Sequence, residues 1–107
     1  MDVRILPAAN ERILEIWDYT ERNWGEEQAD YYVRGLVDAV GQIQKNRHLW
    51  KPVLDEAMIG IFFFRYEHHF VFFREISIGA LGVISILHET MDIPSRLKED
   101  TERGEDV

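Results

Sequence analysis

The 107-residue sequence contains no cysteine, which excludes a disulfide framework and any metal site built on thiolates. It has no run of about 18 apolar residues, the shortest length that crosses a bilayer as a helix. Its first residues, Met1-Asp2-Val3-Arg4, are not followed by the apolar stretch of a signal peptide. We therefore expect a cytoplasmic protein without a membrane partner.

Cations are scarce as well. Lysine and arginine together number 12 against 20 aspartates and glutamates, which gives a net charge of −8. The acidic excess lies in residues 100–107 and also in the rest of the chain. Nucleic-acid binding draws much of its affinity from phosphate neutralisation by lysine and arginine. We therefore expect no direct nucleic-acid partner.

Apolar residues make up 46% of the chain and aromatic residues 12%, which is enough for one packed core. No internal repeat and no Ser/Gly-rich linker divides the sequence. We assign residues 1–97 to a single domain. Residues 98–107 are expected to form an acidic, disordered tail.

The first half of the chain predicts a short strand followed by two helices. Residues 2–6 alternate in polarity, and Pro7 is expected to close this strand. Residues 8–23 and 26–45 each carry apolar side chains three and four positions apart, which is typical of amphipathic helices. Since only Gly25 and its neighbour Trp24 separate them, they should form a helical hairpin, with Gly25 at positive φ.

The second half predicts a sheet. Residues 46–57 look irregular, and three apolar runs follow at 59–64, 70–73 and 81–87. These runs suit a three-stranded antiparallel meander, with a short C-terminal helix from Pro94 to Asp100. The predicted fold class is α/β (α+β), with an N-terminal strand, a helical hairpin and then the meander.

The consecutive aromatics Phe62, Phe63 and Phe64 cannot all lie on one face of a sheet, because strand side chains alternate. One face should pack on the hairpin, so the other needs a cover. A partner's helix or an added partner strand would supply it. The alternatives are a second copy of the chain or the segment Ile93–Leu97 folding back.

Metal and catalytic sites are not favoured. A zinc site needs three or four converging ligands, and the histidines at 48, 68, 69 and 88 are loosely spaced. His88, Glu89 and Asp92 could serve acid–base chemistry, but a ribonuclease also needs cations for the phosphate, and residues 80–91 contain none. We assign no catalytic, metal or cofactor residue. The aromatics of the first helix, Trp17, Tyr19 and Trp24, are assigned to the core.

Three sequence blocks together form a recognisable pattern. The first is Tyr19-Thr20, Trp24-Gly25, Gln28-Ala29 and Tyr32; the second is His68-His69-Phe70-Val71-Phe72-Phe73-Arg74; the third is Ile86-Leu87-His88-Glu89-Thr90-Met91-Asp92. In this order and at these intervals they resemble the ParE branch of the RelE/ParE toxin superfamily, and the resemblance covers about residues 2–97. It implies a RelE/ParE-like fold.

The resemblance also implies a function. Members of this family are toxins of toxin–antitoxin pairs that poison DNA gyrase and are neutralised by a ParD-like antitoxin, so the expected partners are that antitoxin and gyrase. A homodimer or a hetero-oligomer with the antitoxin is also expected from this class. The alternatives are a RelE-like, ribosome-dependent mRNA endonuclease and a degenerate toxin retained as an antitoxin-binding module.

Candidate partner-binding residues follow from the aromatic surplus and from the blocks that carry the resemblance. They are Phe62, Phe63, Phe64, His69, Arg74, His88, Met91 and Asp92. The family often has arginine at the positions of Phe62 and Ser85, and these departures keep the degenerate-toxin alternative open.

Overall fold

Five strands form one sheet, in the order β1-β5-β4-β3-β2, in a computed structural model that describes residues 2–104. β1 runs parallel to β5, and the other neighbours are antiparallel. The elements are β1 Asp2–Ile5, α1 Pro7–Trp24, α2 Glu26–Gly41, β2 Lys51–Pro52, β3 Phe62–Tyr66, β4 His69–Ser77, β5 Ala80–His88 and α3 Ile93–Gly104. The predicted α/β class, helical hairpin and antiparallel meander are confirmed.

The hairpin turns at Gly25, which has φ +93° and ψ 167°. Its backbone N–H donates to the carbonyl of Glu21 at 2.8 Å, and its own carbonyl accepts from the N–H of Ala29 at 3.1 Å. One glycine therefore ends α1 and begins α2. The combination of positive φ and extended ψ is almost confined to glycine, so the predicted positive φ is confirmed.

Pro7 begins α1 instead of closing the strand, which corrects the prediction. The strand ends at Ile5, and the N–H of Leu6 still donates to the carbonyl of Val83 at 3.0 Å. A proline at the first helical position loses nothing, because the N–H it lacks would have no partner in the helix.

Other boundaries also differ from the prediction. α2 ends at Gly41, and a 3₁₀ turn covers Ile43–Lys45. The stretch 46–57, which was predicted to be irregular, contains the two-residue edge strand β2, and this strand pairs with Phe62 and Phe63. Pro52 is tolerated there because one side of an edge strand needs no hydrogen-bond donors. β3 begins at Phe62 and not at residue 59, since Gly60 at φ +88° breaks the extended run.

The two faces of the sheet are both covered by the chain itself. The hairpin face packs Phe64, Val71, Phe73, Val83 and Ile86 against α1 and α2. The opposite face, called here the α3 face, packs Phe72, Ile84 and Leu87 with Leu97 of α3 and with Leu6, Met58 and Ile61.

The expectation that a partner covers the second face is therefore wrong. Phe63 lies on the α3 face, and its neighbours Phe62 and Phe64 lie on the hairpin face. Ile93 and Leu97 fold back onto the α3 face, as in one of the alternatives considered. Aromatic residues occur consecutively because the chain packs one hydrophobic core on each face of the sheet.

A β-bulge in β5 places two consecutive side chains toward α3. Phe72 pairs with Ser85 and Phe73 pairs with Val83, so Ile84 is the extra residue. Ile84 joins the apolar cluster of the α3 face, and the Ser85 hydroxyl donates to Oδ2 of Asp100 in α3 at 2.7 Å. The bulge thus supplies a hydrogen-bond donor on a face that is otherwise apolar.

Asp100 is 1% exposed and accepts three hydrogen bonds from two residues. Besides Ser85, Arg12 of α1 donates from Nε to Oδ2 at 2.9 Å and from Nη2 to Oδ1 at 3.1 Å. This carboxylate raises the pKa of Arg12 through the hydrogen bond. The prediction that residues 98–107 form a disordered tail is wrong for residues 98–104, because this contact fixes α3; residues 105–107 lie outside the described part of the chain.

We predict that Gly25→Ala lowers the free energy of unfolding by about 1–3 kcal/mol, because alanine rarely adopts this backbone conformation. Gly41→Ala is the matched control. It lies at the end of α2 with open space around its Cα, so it should gain up to about 1 kcal/mol from helix propensity. Urea unfolding of both variants checks this, and equal effects would contradict it.

We also predict that Asp100→Ala lowers the free energy of unfolding by about 3 kcal/mol, because it leaves a partly buried guanidinium without its main partner. Glu99→Ala is the control on the same helix, since its carboxylate is exposed and pairs only with exposed Arg96. It should change stability by less than about 0.5 kcal/mol. Similar losses in the two variants would show that Asp100 does not anchor α3.

Candidate functional site

A groove of about 830 Å³ lies between the helical hairpin and one end of the sheet. The last turns of α1, the first turns of α2, the β3–β4 turn and the end of β5 form its walls. Its lining residues are Arg12, Glu15, Ile16, Tyr19, Thr20, Arg22, Trp24, Gln28, Tyr31, Tyr32, Tyr66, Glu67, His68, His69, Ile86, His88, Thr90 and Met91. Aromatic side chains and histidines dominate this set.

The base of the groove depends on a close approach between β3 and α2. Gly35 of α2 has no Cβ, and a Cβ there would collide with the hydroxyl of Tyr66. The Tyr66 ring therefore lies directly against the helix. It meets the ring of Tyr32 edge to face, with centroids 5.5 Å apart, a geometry that aromatic pairs prefer.

Tyr32 in turn fixes His69. Its hydroxyl lies 2.7 Å from Nδ1 of His69, and His69 is almost fully buried. Burial raises the pKa of Tyr32 to about 12, and burial, with the nearby His88, lowers the pKa of His69 to about 4. At neutral pH the Tyr32 hydroxyl is therefore protonated and the His69 imidazole is neutral, and the two groups share a hydrogen bond at Nδ1.

His88 lies beside His69 at the end of β5. Their ring centroids are 5.0 Å apart and nearly perpendicular. The backbone N–H of Thr90 donates to Nδ1 of His88 at 3.1 Å, and the Thr90 hydroxyl lies 2.8 Å from the same atom. Both histidines therefore have Nδ1 occupied by a local partner.

The β3–β4 turn is fixed by Glu89, just after β5. Its carboxylate contacts Nη2 of Arg65 and lies 2.8 Å from Nδ1 of His68. The hydrogen bond with His68, followed by the nearby Arg65, lowers the pKa of Glu89. This cluster is exposed, so its main effect is to hold the turn in place against the end of β5.

The candidate residues are divided among several places. His69, His88 and Met91 line the groove, and Asp92 is exposed just after it in sequence. Phe62 and Arg74 line a smaller notch at the other end of the sheet. Phe63 faces α3 and Phe64 is buried under the hairpin. The candidate set therefore does not form one site.

The exposed walls of the groove were missed by the sequence reasoning. Trp24 is 65% exposed and Tyr31 is 73% exposed, and Tyr19 is exposed as well, so the assignment of Tyr19 and Trp24 to the core is wrong. Trp17 is half-buried, with Nε1 donating to Asp30 at 2.9 Å. The sequence did indicate that Trp24 is exposed, because it directly precedes the hairpin glycine, and a side chain at the tip of a hairpin projects beyond the core.

Neither a metal site nor a membrane-spanning helix is found among the described residues. Within residues 2–104, no three histidine or carboxylate side chains are placed to hold a metal ion together. No helix in the same range is both long and apolar enough to span a bilayer.

Residues 3–93 match the family model of the ParE toxin of the type II toxin–antitoxin system parDE. The chain belongs to the ParE toxin family. It is 33% identical over 91 residues to toxin ParE1 of Mycobacterium tuberculosis, covering 85% of this chain and 92% of that protein. It is 32% identical over 100 residues to toxin ParE of Escherichia coli, covering 92% and 96%. This ParE-type chain is therefore a toxin of a type II toxin–antitoxin system.

Two solved structures share the fold of this ParE-type toxin. One belongs to the chromosomal ParDE system of P. aeruginosa, with a TM-score of 0.70, 17% identity, and coverage of 82% of this chain and 95% of that one. The other belongs to the RelBE2 toxin–antitoxin complex of M. tuberculosis, with a TM-score of 0.59, 13% identity, and coverage of 81% and 95%. The predicted RelE/ParE-like fold and the family resemblance are confirmed.

We predict that His69 makes the toxin less stable in mild acid. Its pKa is lowered from 6.5 to about 4 in the folded chain, so the unfolded chain binds a proton first as the pH falls. The contribution of neutral His69 to the free energy of unfolding is present above pH 6.5 and is lost between pH 6.5 and 4. The loss is about 2 kcal/mol between pH 7.5 and pH 5.

Urea unfolding at these two pH values measures the loss. His69→Gln should unfold with little dependence on pH in this range, whereas His48→Gln, at an exposed histidine, should keep the wild-type dependence. Most carboxylates remain ionised at pH 5 or above, so they contribute little. A His69→Gln variant that loses as much stability as the wild type would refute the assignment.

Proposed function

We propose that this ParE-type toxin inhibits DNA gyrase in the cytoplasm and is held inactive by a ParD-like antitoxin. The observation that carries the proposal is the family match over residues 3–93. The toxin-named relatives in M. tuberculosis and E. coli support it. The fold shared with a ParDE system supports the antitoxin partner.

The runner-up is a ribosome-dependent mRNA endonuclease. One observation favours it, because the fold brings His68, His69 and His88 together at one groove. However, a base with a pKa of about 4 is weak at neutral pH. A cation is also needed at the scissile phosphate; of the two arginines in the groove, Arg12 is bound to Asp100 and Arg22 donates from Nε to the carbonyl of Asp18 at 3.3 Å. The arrangement therefore supports binding more than phosphate chemistry.

Phe62 and Ser85 stand at positions where the family often has arginine, and these two differences bear on whether the toxin is active. Ser85 is buried and donates to Asp100, and Phe62 packs against Trp50 with centroids 5.6 Å apart. Both residues serve folding here. We propose that toxicity does not require arginine at either position, and the degenerate-toxin alternative predicts the opposite.

We predict that induced expression of the chain arrests growth and activates a DNA-damage reporter, while translation continues. Co-expression of a ParD-like antitoxin should restore growth. The purified toxin should inhibit supercoiling of relaxed plasmid by gyrase, and it should leave ribosome-bound mRNA intact.

Each alternative has its own outcome in the same experiment. Cleavage of ribosome-bound mRNA that disappears in His88→Ala would identify a ribonuclease. Tight binding of the antitoxin without growth arrest, DNA-damage signalling or gyrase inhibition would identify a degenerate toxin. Asp100→Ala, expected to be destabilised, serves as the control for effects of misfolded protein.

A further inference from the structure

The notch at the other end of the sheet contains a fixed aromatic side chain. The notch has a volume of about 620 Å³, and Trp50 is one of its lining residues. Trp50 is held in two ways. Its Nε1 donates to the carbonyl of Ile43 at 2.8 Å, and its ring meets the ring of Phe73 edge to face, with centroids 4.9 Å apart. Both contacts are with buried residues, so the ring keeps one orientation at the surface.

Arg47 lies on this ring without an ionic partner. Its guanidinium carbon is 4.8 Å from the centroid of Trp50. Among the residues from 2 to 104, Arg47 forms neither an ion pair nor a side-chain hydrogen bond. A guanidinium that stacks on an aromatic ring keeps its N–H donors in its own plane, and these donors match the two oxygens of a carboxylate. Arg47 is therefore oriented to bind a carboxylate from outside the chain.

The sequence around Arg47 is the longest stretch without a carboxylate. Residues 39–54 contain no aspartate or glutamate and three cations, Lys45, Arg47 and Lys51. Neither lysine forms an ion pair in the part of the chain that the structure describes. A chain with a net charge of −8 thus has one segment in which the positive charges are not compensated locally.

The lining of the notch also carries more positive than negative charge. Arg47 and Arg74 line it, and Glu75 is the one carboxylate in the lining. Asp55, the first carboxylate after the cationic segment, serves as a cap, because its Oδ1 accepts from the backbone N–H of Ala57 at 2.9 Å. The notch therefore favours an anionic ligand.

Exposed aliphatic side chains surround these cations. Ile59 lines the notch and is 85% exposed, and Ile78 in the β4–β5 turn is 100% exposed. They lie at the same end of the sheet, because Phe62 at the start of β3 pairs with Phe73 of β4. Apolar surface of this kind favours a protein over a nucleic acid, since a phosphate backbone offers aliphatic side chains no partner.

We infer that the notch binds an acidic segment of the protein that the toxin inhibits, and that this segment combines carboxylates with aliphatic side chains. A carboxylate of the segment binds Arg47, and its aliphatic side chains pack on Ile59. The identity of the partner as the inhibited protein rests on the proposed function. Because the notch and the groove lie at opposite ends of the sheet, an antitoxin in the groove leaves the notch accessible.

Two synthetic peptides test the chemistry of the notch. Each has about 12 residues, enough to cross the notch in an extended form, with isoleucine at the same few positions. Glutamate fills the other positions in one peptide and glutamine in the other. Fluorescence anisotropy with the full chain should show the glutamate peptide binding at least about tenfold more tightly. Repulsion by the net charge of −8 alone predicts the opposite order.

Matched variants locate the binding site. Arg47→Glu should weaken binding of the glutamate peptide about tenfold or more. Arg34→Glu makes the same change of charge at an exposed arginine outside the notch and should change the affinity by less than about twofold. Ile59→Ser should weaken binding about fivefold. Leu54→Ser removes an aliphatic side chain that is as exposed but lies outside the notch, and it should have no effect.

Several results would overturn the inference. These are equal binding of the two peptides, equal effects of Arg47→Glu and Arg34→Glu, and equal effects of the two serine variants. If Arg47→Glu unfolds the chain, as circular dichroism would show, the serine pair decides. Binding of a short DNA duplex that Arg47→Glu abolishes would identify a nucleic-acid site instead. A dimer of the chain that Arg47→Glu dissociates would identify a second copy as the occupant.

Inhibition of gyrase provides the second arm. Arg47→Glu should raise the concentration that half-inhibits supercoiling about tenfold, whereas the affinity for the antitoxin should change by less than about twofold. A variant that inhibits gyrase as well as the wild type would overturn the inference and leave the proposed function intact. A similar loss of antitoxin affinity would assign the notch to the antitoxin and also overturn it. A wild-type chain that does not inhibit gyrase would overturn the proposed function, and with it the inhibited protein as the occupant.

Discussion

The buried Asp100 carboxylate connects the three layers of the molecule. Arg12 comes from the helical hairpin, Ser85 from the interior strand β5 and Asp100 from α3. A buried charge is unfavourable unless it is paired and hydrogen-bonded, so the contact forms only when all three elements are in place. It also reaches the groove, because the guanidinium held by Asp100 is one of the two arginines there. The packing of the C-terminal helix and the position of a groove arginine thus depend on one interaction.

Features set by nearby residues were predictable from the sequence. The hairpin follows from two helical periodicities separated by one glycine, and the meander follows from three apolar runs with short connections. The continuation of α3 to Gly104 was not predictable in this way, because it depends on a contact between residues 88 positions apart in sequence. Strand β2 was missed for a similar reason, since only pairing with β3 defines so short a segment. The role of Ser85 requires the bulge at Ile84, which no local pattern indicates.

The candidate site was predictable only in part. The blocks that resemble the family contain His69, His88 and Met91, which do line the groove. The run of phenylalanines at 62–64 indicated a different surface. These side chains pack within the chain, because both faces of the sheet are covered and both need aromatic residues. Helical periodicity also placed Tyr19 and Trp24 in the core, although position along a helix does not indicate where the sheet beneath it ends. Their exposure depends on the hairpin extending past that end.

The groove separates residues that fold the toxin from residues available for binding. At its base, Gly35 leaves room for Tyr66, Tyr66 contacts Tyr32, and Tyr32 is hydrogen-bonded to His69. These contacts are internal, and changing them affects stability. At its rim, Trp24 and Tyr31 project into solvent, so their removal costs little in folding. The base is rigid because each group has a specific partner, and a rigid base keeps the rim aromatics in fixed positions before a partner arrives. Such pre-organisation lowers the entropic cost of association, so the rim is better suited to binding than the base.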